Sequence, residues 1–299
     1  MKILLTGASG FLGSNLAWRL LCEGHDVVLL ARPRSDLAKR LGNDVAHFQV
    51  IRLHDDGDAN LQRCLQDAVR SSRPDAVIHT ACIYGRQGET MPQMLDANVC
   101  LGVGLLQALR DAGHQATFIN TGTALDASVN AYALSKHQFR QWGELFAAQA
   151  GGAIQWINVK LEHMYGPGDD ASKFTTHVLR ACHHNEPTLK LTAGEQQRDF
   201  IFIDDVASAY FTLLNQRAML PTASDIEVGS GQAPSIRAFV ETVHRLTGSS
   251  TELQFGALPY RPNEAMHCQA DISRMRELGW QPSFDLVAGL QKTIELEFP

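Results

Sequence analysis

A tyrosine and a lysine stand four residues apart in a segment with helical periodicity. They are Tyr132 and Lys136, within the run Tyr-Ala-Leu-Ser-Lys. This spacing places a phenol and an ammonium on the same face of a helix. A phenol normally titrates at about pH 10, and a nearby cation stabilises the phenolate and lowers that pKa. The pair therefore predicts a group that exchanges protons with a substrate near neutral pH.

A hydroxyl side chain precedes this pair at the end of a predicted strand. The run Thr121-Gly122-Thr123 follows the apolar segment 116–120. A hydroxyl at that place could hydrogen-bond the substrate oxygen that Tyr132 protonates. We therefore predict that Thr123, Tyr132 and Lys136 are the catalytic residues and that Thr121 contacts the substrate.

Three glycines at three-residue spacing, Gly7, Gly10 and Gly13, separate the first apolar run from a helical segment. The first permits a tight turn, the second lets backbone N–H groups approach a pyrophosphate, and the third lets the helix pack closely. The N-terminal end of that helix favours an anion. This strand–loop–helix context predicts a dinucleotide site, although the spacing is G-x-x-G-x-x-G, not G-x-G-x-x-G. The predicted cofactor contacts of the loop are Thr6, Gly7, Ser9, Gly10, Phe11, Leu12 and Gly13.

The end of the second predicted strand indicates which dinucleotide binds. An NAD site normally carries Asp or Glu there, to hold the ribose 2′-hydroxyl. Here the strand ends at Ala31 and is followed by Arg32-Pro33-Arg34. No carboxylate is present to repel a 2′-phosphate, and two guanidiniums are available to bind it. We expect NADPH rather than NAD, with Arg32 and Arg34 as contacts; the alternative is that both are solvated loop charges.

The elements that must position these residues are short apolar runs alternating with helical segments. This alternation predicts βαβ units and a doubly wound, Rossmann-type parallel sheet in an α/β protein. We expect helices at 14–23, 61–71, 91–112 and 131–150. The predicted strands are 2–6, 26–31, 45–53, 75–80, 116–120 and 154–161.

The alternation stops after Tyr165, where Gly-Pro-Gly-Asp-Asp marks a loop. We therefore expect residues 1–165 to form the dinucleotide-binding domain, with 198–220 returning to it. Residues 166–299 would mainly form a smaller α/β substrate-binding lobe. Within this second part we predict helices at 173–185, 205–214 and 235–246. The apolar segment 200–204 would add a strand to the main sheet.

Composition excludes several classes of protein. The chain has 299 residues, 44% of them hydrophobic, which is enough for a large core and too many for a disordered chain. A net charge of −6 without a basic cluster argues against nucleic-acid binding. No membrane span or signal peptide is apparent, so we expect a cytoplasmic protein. Six scattered cysteines indicate reduced thiols and no metal site.

Several motifs occur in the order typical of one known family. Besides the glycine loop, Thr123 and the Tyr132/Lys136 pair, they are the segments 77–81, 98–99, 164–168, 198–206, 261–262 and 270–271. On these motifs the chain resembles an extended short-chain dehydrogenase/reductase of the nucleotide-sugar-modifying branch, over nearly its whole length. The resemblance implies that Tyr132 is the general acid/base, that Thr123 holds the reacting oxygen, and that Lys136 binds the nicotinamide ribose and tunes Tyr132.

The resemblance also implies further contacts and a homodimer, formed through the helices predicted at 91–112 and 131–150. The further cofactor contacts would be Thr80, Ala81, Cys82 and Asn98. The further substrate contacts would be Tyr84, Arg86, His163, Lys173, Phe174, Arg198 and Arg261, of which the last two would hold a diphosphate. As alternatives to these roles, Cys82 could pack as a small apolar residue, and Tyr84 and Arg86 could lie in an exposed loop.

The residues after Thr123 separate the reactions of this branch. Dehydratases of the family place Asp and Glu there, and epimerase-reductases place Cys two residues on, but this chain has Ala124 and Leu125. These side chains supply neither an acid nor a base. The absent carboxylate after the second strand argues against a 4-epimerase, which keeps NAD tightly bound.

The remaining reaction is an NADPH-dependent reduction of a sugar ketone. In the segments 120–125, 160–170 and 172–175 the chain is similar to the 4-ketoreductases of the CDP-abequose synthase type. This resemblance implies that the reduced group is the 4-keto group of a nucleotide-diphosphate 4-keto-6-deoxy sugar. Such an enzyme would serve the synthesis of deoxysugars for O-antigen-type polysaccharide, as in lipopolysaccharide. The alternatives are a nucleotide-sugar 4-epimerase with bound NAD and an NADP-binding sensor without catalysis.

Overall fold

The structure is a computed structural model that describes residues 1–54, 58–261 and 264–298. Pro262, part of the motif at 261–262, lies outside the described residues. The chain divides into two compact units. The first is Met1–Lys160 with Tyr210–Ile226, and the second is Leu161–Ala209 with Glu227–Pro299.

The strands and helices follow the chain in a mixed α/β order. The strands are β1 (Lys2–Thr6), β2 (Asp26–Ala31), β3 (Gln49–Arg52), β4 (Ala76–His79), β5 (Ala116–Thr121), β6 (Ile154–Leu161), β7 (His163–Tyr165), β8 (Thr188–Leu191), β9 (Gln197–Arg198), β10 (Phe200–Phe202), β11 (Ala223–Val228), β12 (Glu252–Phe255) and β13 (His267–Cys268). The helices are α1 (Phe11–Cys22), α2 (Ala38–Leu41), α3 (Asp58–Ser72), α4 (Met91–Leu95), α5 (Leu101–Asp111), α6 (Ala131–Gln149), α7 (Phe174–His183), α8 (Ile203–Asn215), α9 (Ile236–Thr247), α10 (Ser273–Glu277) and α11 (Leu286–Glu297).

The main sheet has seven strands in the order β11-β6-β5-β4-β1-β2-β3. Neighbouring strands from β3 to β6 are parallel. The central strands are apolar and buried, as expected for a sheet covered on both faces. Strand order reverses between β1 and β4, and ligands of such sheets bind in the crevice beyond the carboxyl ends at that point. The predicted Rossmann-type fold is confirmed.

The prediction that segment 200–204 joins the main sheet is wrong. Phe200–Phe202 pairs instead with His163–Tyr165 in a separate two-stranded sheet. The place beside β6 is taken by Ala223–Val228, whose sequence is Ala-Ser-Asp-Ile-Glu-Val. Only Ile226 and Val228 of this edge strand are buried, so it lacks the continuous apolar run that marks a buried strand.

Two predicted elements differ locally from the structure. The predicted strand 45–53 begins only at Gln49, because Gly42–His47 forms a 3-10 helix. The predicted helix 91–112 contains one turn of π-helix, Asp96–Cys100, between α4 and α5. Such π turns are frequent at functional sites.

The start of α6 is fixed by Asn130, whose side-chain oxygen accepts a hydrogen bond from the N–H of Ala133 at 2.8 Å. This N-cap places Tyr132 and Lys136 in the first two turns of the helix. The helix packs closely on α5, where a Cβ at Gly102 would lie 2.1 Å from the ring of Phe139.

Candidate active site

The glycine loop forms a tight connection between β1 and α1. Gly7 has a φ of +80°, and a Cβ there would lie 2.4 Å from Thr80 Oγ1. A Cβ at Gly13 would lie 2.2 Å from the carbonyl oxygen of Gly7. Gly10 is the N-cap of α1 and has no side chain to bond the first N–H groups. The loop therefore fits the pyrophosphate of a dinucleotide, which requires close backbone approach and N–H donors at a helix start.

Hydrogen bonds join this loop to the segment after β4. Thr80 Oγ1 donates to the carbonyl of Thr6 at 2.8 Å, and the N–H of Ala81 donates to Thr6 Oγ1 at 3.2 Å. Thr6 Oγ1 also lies 2.9 Å from His79 Nδ1. Burial and the charge of Lys136 lower the pKa of His79 to about 3, so this imidazole is neutral. The predicted cofactor residues of the two segments are thus brought together.

The predicted selectivity residues follow β2 at the surface. Ala31 is buried, whereas Arg32 and Arg34 are exposed. The N–H of Ser35 donates to the carbonyl of Arg32 at 3.0 Å, which closes a turn. No acidic side chain occupies the place that follows Ala31.

Lys136 is buried, and its ammonium donates to the carbonyl of Thr121 at 2.8 Å. The same nitrogen lies 5.9 Å from the centre of the Tyr132 ring. Burial lowers the pKa of Lys136. The predicted pair is therefore assembled at the carboxyl end of β5.

The direction predicted for the pKa of Tyr132 is wrong for the state described. Burial raises that pKa well above 10, and the negative forms of Cys82 and Tyr84 would raise it further. A hydrogen bond with Tyr84 has the same effect. The two rings lie 4.7 Å apart, tilted by 34°. Tyr132 is therefore a neutral phenol in the resting protein, because desolvation outweighs the nearby ammonium.

Two tyrosine rings in contact lie between two cations, of which the first is Lys136. The ammonium faces the ring of Tyr132, and Tyr132 packs on Tyr84. The guanidinium of the exposed Arg86 lies 5.3 Å from the centre of the Tyr84 ring. Tyr84 thus packs on Tyr132, the predicted catalytic tyrosine, a contact that was not predicted from the sequence.

The two threonines at the end of β5 have different partners. Thr123 Oγ1 accepts a hydrogen bond from the N–H of Leu125 at 3.2 Å. Thr121 Oγ1 lies 2.6 Å from the hydroxyl of the buried Tyr210. The role predicted for Thr121 at the substrate stays a prediction, with Tyr210 as its present partner.

Asn98 has partners within the protein, and its predicted contact with the cofactor stays a prediction. It is fully buried in the π turn, where its side-chain oxygen accepts from the N–H of Ile83 at 2.8 Å. Its amide nitrogen donates to Ile83 O at 3.0 Å and to Ser135 Oγ at 2.9 Å. All of its amide hydrogens are used within the protein. Asn98 therefore ties the loop after β4 to α6.

In the second unit, the predicted substrate residues Lys173 and Arg198 are paired with carboxylates. Lys173 Nζ lies 2.9 Å from Oδ1 of the buried Asp169. The guanidinium of Arg198 contacts Glu264 and donates to the carbonyl of Gln197 at 2.7 Å. A substrate diphosphate would have to replace Glu264 at Arg198.

The other predicted substrate residues of this unit are more accessible. His163 Nδ1 lies 3.3 Å from Glu162 Oε2. The exposed ring of Phe174 lies 6.0 Å from that of Phe239. Arg261 is exposed, and its carbonyl accepts from the N–H of Glu264 at 3.2 Å.

The described residues contain neither a membrane-spanning helix nor a cluster of metal ligands. No helix among them combines the length and apolar character needed to cross a membrane. No cluster of three His, Cys, Asp or Glu side chains within the same ranges could hold a metal ion.

Comparison with known proteins identifies relatives over the full chain. The model of the NAD dependent epimerase/dehydratase family matches residues 3–229. CDP-abequose synthase of Salmonella typhimurium is 30% identical over 301 residues, covering 98% of this chain and 97% of that protein. UDP-glucose 4-epimerase of Mycolicibacterium smegmatis is 28% identical over 318 residues, covering 99% and 98%.

Among solved structures, the fold is similar to that of UDP-glucose 4-epimerase of Thermus thermophilus in complex with NAD. The TM-score is 0.82 at 20% identity, with 99% of this chain and 98% of that chain covered. These matches and the assembled Tyr–Lys site agree. The chain belongs to the NAD dependent epimerase/dehydratase family and is an NAD(P)-dependent enzyme of the extended short-chain dehydrogenase/reductase type.

Proposed function

We propose that the protein uses NADPH to reduce the 4-keto group of a nucleotide-diphosphate 4-keto-6-deoxy sugar. The observation that carries this proposal is the pairing of Tyr132 with the buried Lys136, whose ammonium lies 5.9 Å from the centre of the Tyr132 ring. A reduction needs a proton donor at the carbonyl oxygen. The phenol of Tyr132 can supply that proton, because burial raises its pKa and keeps it neutral, and Lys136 can stabilise the phenolate that remains.

The relatives support the same class of substrate. The name of the Salmonella relative, CDP-abequose synthase, denotes a nucleotide-linked sugar product, and the similarity covers nearly all of both chains. Ala124 and Leu125 follow Thr123 in this chain, so a dehydratase would lack its acid and base. The lack of a carboxylate after Ala31, together with Arg32 and Arg34, supports NADPH over NAD.

In this proposal each predicted site residue discussed below, all in the first unit, has a defined role. When bound, NADPH supplies the hydride for the carbonyl carbon. Tyr132 transfers its proton to the carbonyl oxygen, and Thr123 stabilises the developing alkoxide by a hydrogen bond. Lys136 stabilises the phenolate that remains on Tyr132 and holds the nicotinamide ribose. Glycine-loop backbone groups and Thr80 to Cys82 orient the dinucleotide.

In the second unit, Arg198 and Arg261 would bind the diphosphate, and His163, Lys173 and Phe174 would contact the rest of the nucleotide sugar. In the first unit, Tyr84 and Arg86 would contact the sugar. Guanidiniums suit this task because their planar donor pattern matches phosphate oxygens.

The test is NADPH oxidation with a panel of CDP-, dTDP- and GDP-linked 4-keto-6-deoxy sugars. We expect one nucleotide to be preferred, and we expect Tyr132→Phe to lower kcat by about 10²–10⁴-fold. The matched control is Tyr165→Phe, a buried tyrosine whose hydroxyl lies 3.5 Å from the carbonyl of Leu286 in the second unit. Full activity of Tyr132→Phe would refute the proposal, and an inactive wild type that binds NADP would favour a sensor.

A second candidate is a nucleotide-sugar 4-epimerase, because relatives of that name match the whole chain. An epimerase would purify with NAD already bound and would interconvert UDP-glucose and its C4 epimer. Absence of bound NAD and of that conversion, together with ketosugar reduction, would eliminate this candidate.

We also propose a homodimer through α4 and α6. Leu134, Trp142 and Leu145 are about half exposed and lie on one side of α6. Met91 and Leu95 of α4 are similarly exposed. Monomeric proteins rarely expose contiguous apolar patches of this kind. Sedimentation should give a dimer for the wild type and a monomer for Trp142→Glu/Leu145→Glu, whereas a dimeric double variant would contradict this interface.

A further inference from the structure

An arginine that sequence analysis did not assign lies at the carboxyl end of β3. Nη1 of Arg52 points at three main-chain carbonyl oxygens of the turn after β2. The distances are 3.2 Å to Pro33, 3.2 Å to Ser35 and 3.4 Å to Arg32. One guanidinium nitrogen thus contacts nearly every carbonyl of that turn.

Strand register places Arg52 beside the residue position that distinguishes an NAD site from an NADP site. In the parallel pairing of β2 and β3, Ala31 is the partner of Arg52. Ala31 ends β2, and it occupies the place where an NAD site carries its carboxylate. A guanidinium therefore stands directly beside the place where family members that bind NAD need a negative charge.

The turn itself is held in one shape by two sets of hydrogen bonds. The N–H of Ser35 donates to Arg32 O at 3.0 Å, and Pro33 occupies the second position, where its fixed φ suits a β-turn. Arg52 binds the carbonyl oxygens of the same residues. Arg32 and Arg34 are thus carried on a turn whose backbone depends on Arg52.

The charge of Arg52 is not cancelled by these contacts, because carbonyl oxygens are neutral acceptors. Three guanidiniums, of Arg32, Arg34 and Arg52, belong to the ends of two adjacent strands. A dianion bound at this edge of the sheet would be attracted by these cations. A phosphate monoester is the dianion that a planar guanidinium fork binds best.

We propose that Arg52 is a positioning and specificity-determining residue for a dinucleotide with a phosphate on its adenosine 2′-oxygen. It fixes the 32–35 turn that carries Arg32 and Arg34 and adds a third positive charge at the phosphate. This inference rests on the NADPH preference proposed above.

The experiment measures binding of NADP⁺ and NAD⁺ to the whole protein by calorimetry, without catalysis. Arg52→Gln should weaken NADP⁺ binding about tenfold or more, the loss expected for a charge-assisted contact, and change NAD⁺ binding by less than about twofold. Arg52→Lys keeps the charge but lacks the planar fork, so it should recover only part of the NADP⁺ affinity. The fragments 2′,5′-ADP and 5′-AMP should repeat the pattern.

The matched control is Arg19→Gln, which removes the same charge. Arg19 lies in the last turn of α1, which runs back toward the amino-terminal edge of the sheet, and pairs with Glu23. It should leave both affinities unchanged. Equal losses for NADP⁺ and NAD⁺, or no loss, in Arg52→Gln would overturn the role of Arg52 alone. A wild type that does not prefer NADP⁺ would instead overturn the NADPH proposal and this inference with it.

Discussion

Two lysines that are largely withdrawn from water, Lys136 in the first unit and Lys173 in the second, are held in opposite ways. Lys136 bonds a neutral carbonyl and faces an aromatic ring, and no carboxylate of the described residues pairs with it. Lys173 forms an ion pair with Asp169, whose side chain is almost completely buried. The first charge is uncompensated, and the second is neutralised within the fold.

The difference indicates what each charge can do. An uncompensated buried ammonium is costly in the resting protein, and it gains stabilisation when a negative charge forms beside it. In the proposed reduction that negative charge is the phenolate left on Tyr132 after proton transfer. A compensated lysine contributes mainly to the fold, and it acts on a ligand only if it exchanges partners.

Replacement of Lys136 by Met should separate catalysis from stability. We expect kcat to fall by about 10²-fold or more, because the phenolate of Tyr132 loses its stabilising cation. The melting temperature should be unchanged or higher, because the cost of burying the ammonium disappears. Steady-state kinetics and thermal unfolding measure the two effects. A marked loss of stability with normal kcat would reverse the interpretation of Lys136.

Replacement of Lys173 by Met should have its main effect on stability. Asp169 would keep its buried position without a partner, and such a loss typically costs about 3 kcal/mol of unfolding free energy. The double variant Lys173→Met/Asp169→Asn removes the unpaired charge and should recover most of that loss. Denaturant unfolding of wild type, single and double variants measures the difference. If the single variant keeps full stability and only KM for the nucleotide sugar rises, Lys173 acts on the ligand in the way predicted from the sequence.

The sequence was sufficient to predict most strands of the main sheet and the candidate chemical groups of the first unit. Periodicity identifies β1, β2, β4, β5 and β6 because buried parallel strands are continuous apolar runs. The glycine spacing and the Tyr132/Lys136 pair are local patterns, and the structure assembles both. Strand β11 was missed because polar residues interrupt the apolar residues of this edge strand.

The partners of the site residues could not be predicted, because they come from distant parts of the chain. Tyr210 bonds Thr121, and Arg52 holds the turn after β2, with no pattern in the sequence that links either pair. The pKa of Tyr132 was predicted in the wrong direction for a related reason. Burial depends on tertiary packing, and here it outweighs the local charge of Lys136.

The comparison of buried charges extends to His79, which is fully buried and has a pKa of about 3. The unfolded chain binds a proton at this histidine below about pH 6.5, whereas the folded protein does not. Stability should therefore fall as pH decreases from 6.5 toward 3, by about 2 kcal/mol at pH 5 from this residue. In His79→Gln the free energy of unfolding should therefore fall by about 2 kcal/mol less than in the wild type when the pH is lowered to 5. Equal slopes for both proteins would mean that His79 is protonated in the fold.

The smallest expected effect concerns Tyr84, which shares the hydrogen bond that keeps Tyr132 protonated. In Tyr84→Phe the ring packing 4.7 Å from Tyr132 can persist while the hydroxyl is lost. The pKa of Tyr132 should then decrease, so a reduction that needs its proton should lose activity at lower pH than in the wild type. We expect kcat/KM of this variant to be about threefold lower than that of the wild type at alkaline pH and nearly unchanged near neutrality. The pH profile of kcat/KM measures this difference. A purely structural Tyr84 would lower activity equally at every pH. A shift of the alkaline limb to higher pH would mean that Tyr84 donates its hydrogen bond to Tyr132. Tyr84 would then favour the phenolate of Tyr132, as the uncompensated charge of Lys136 does.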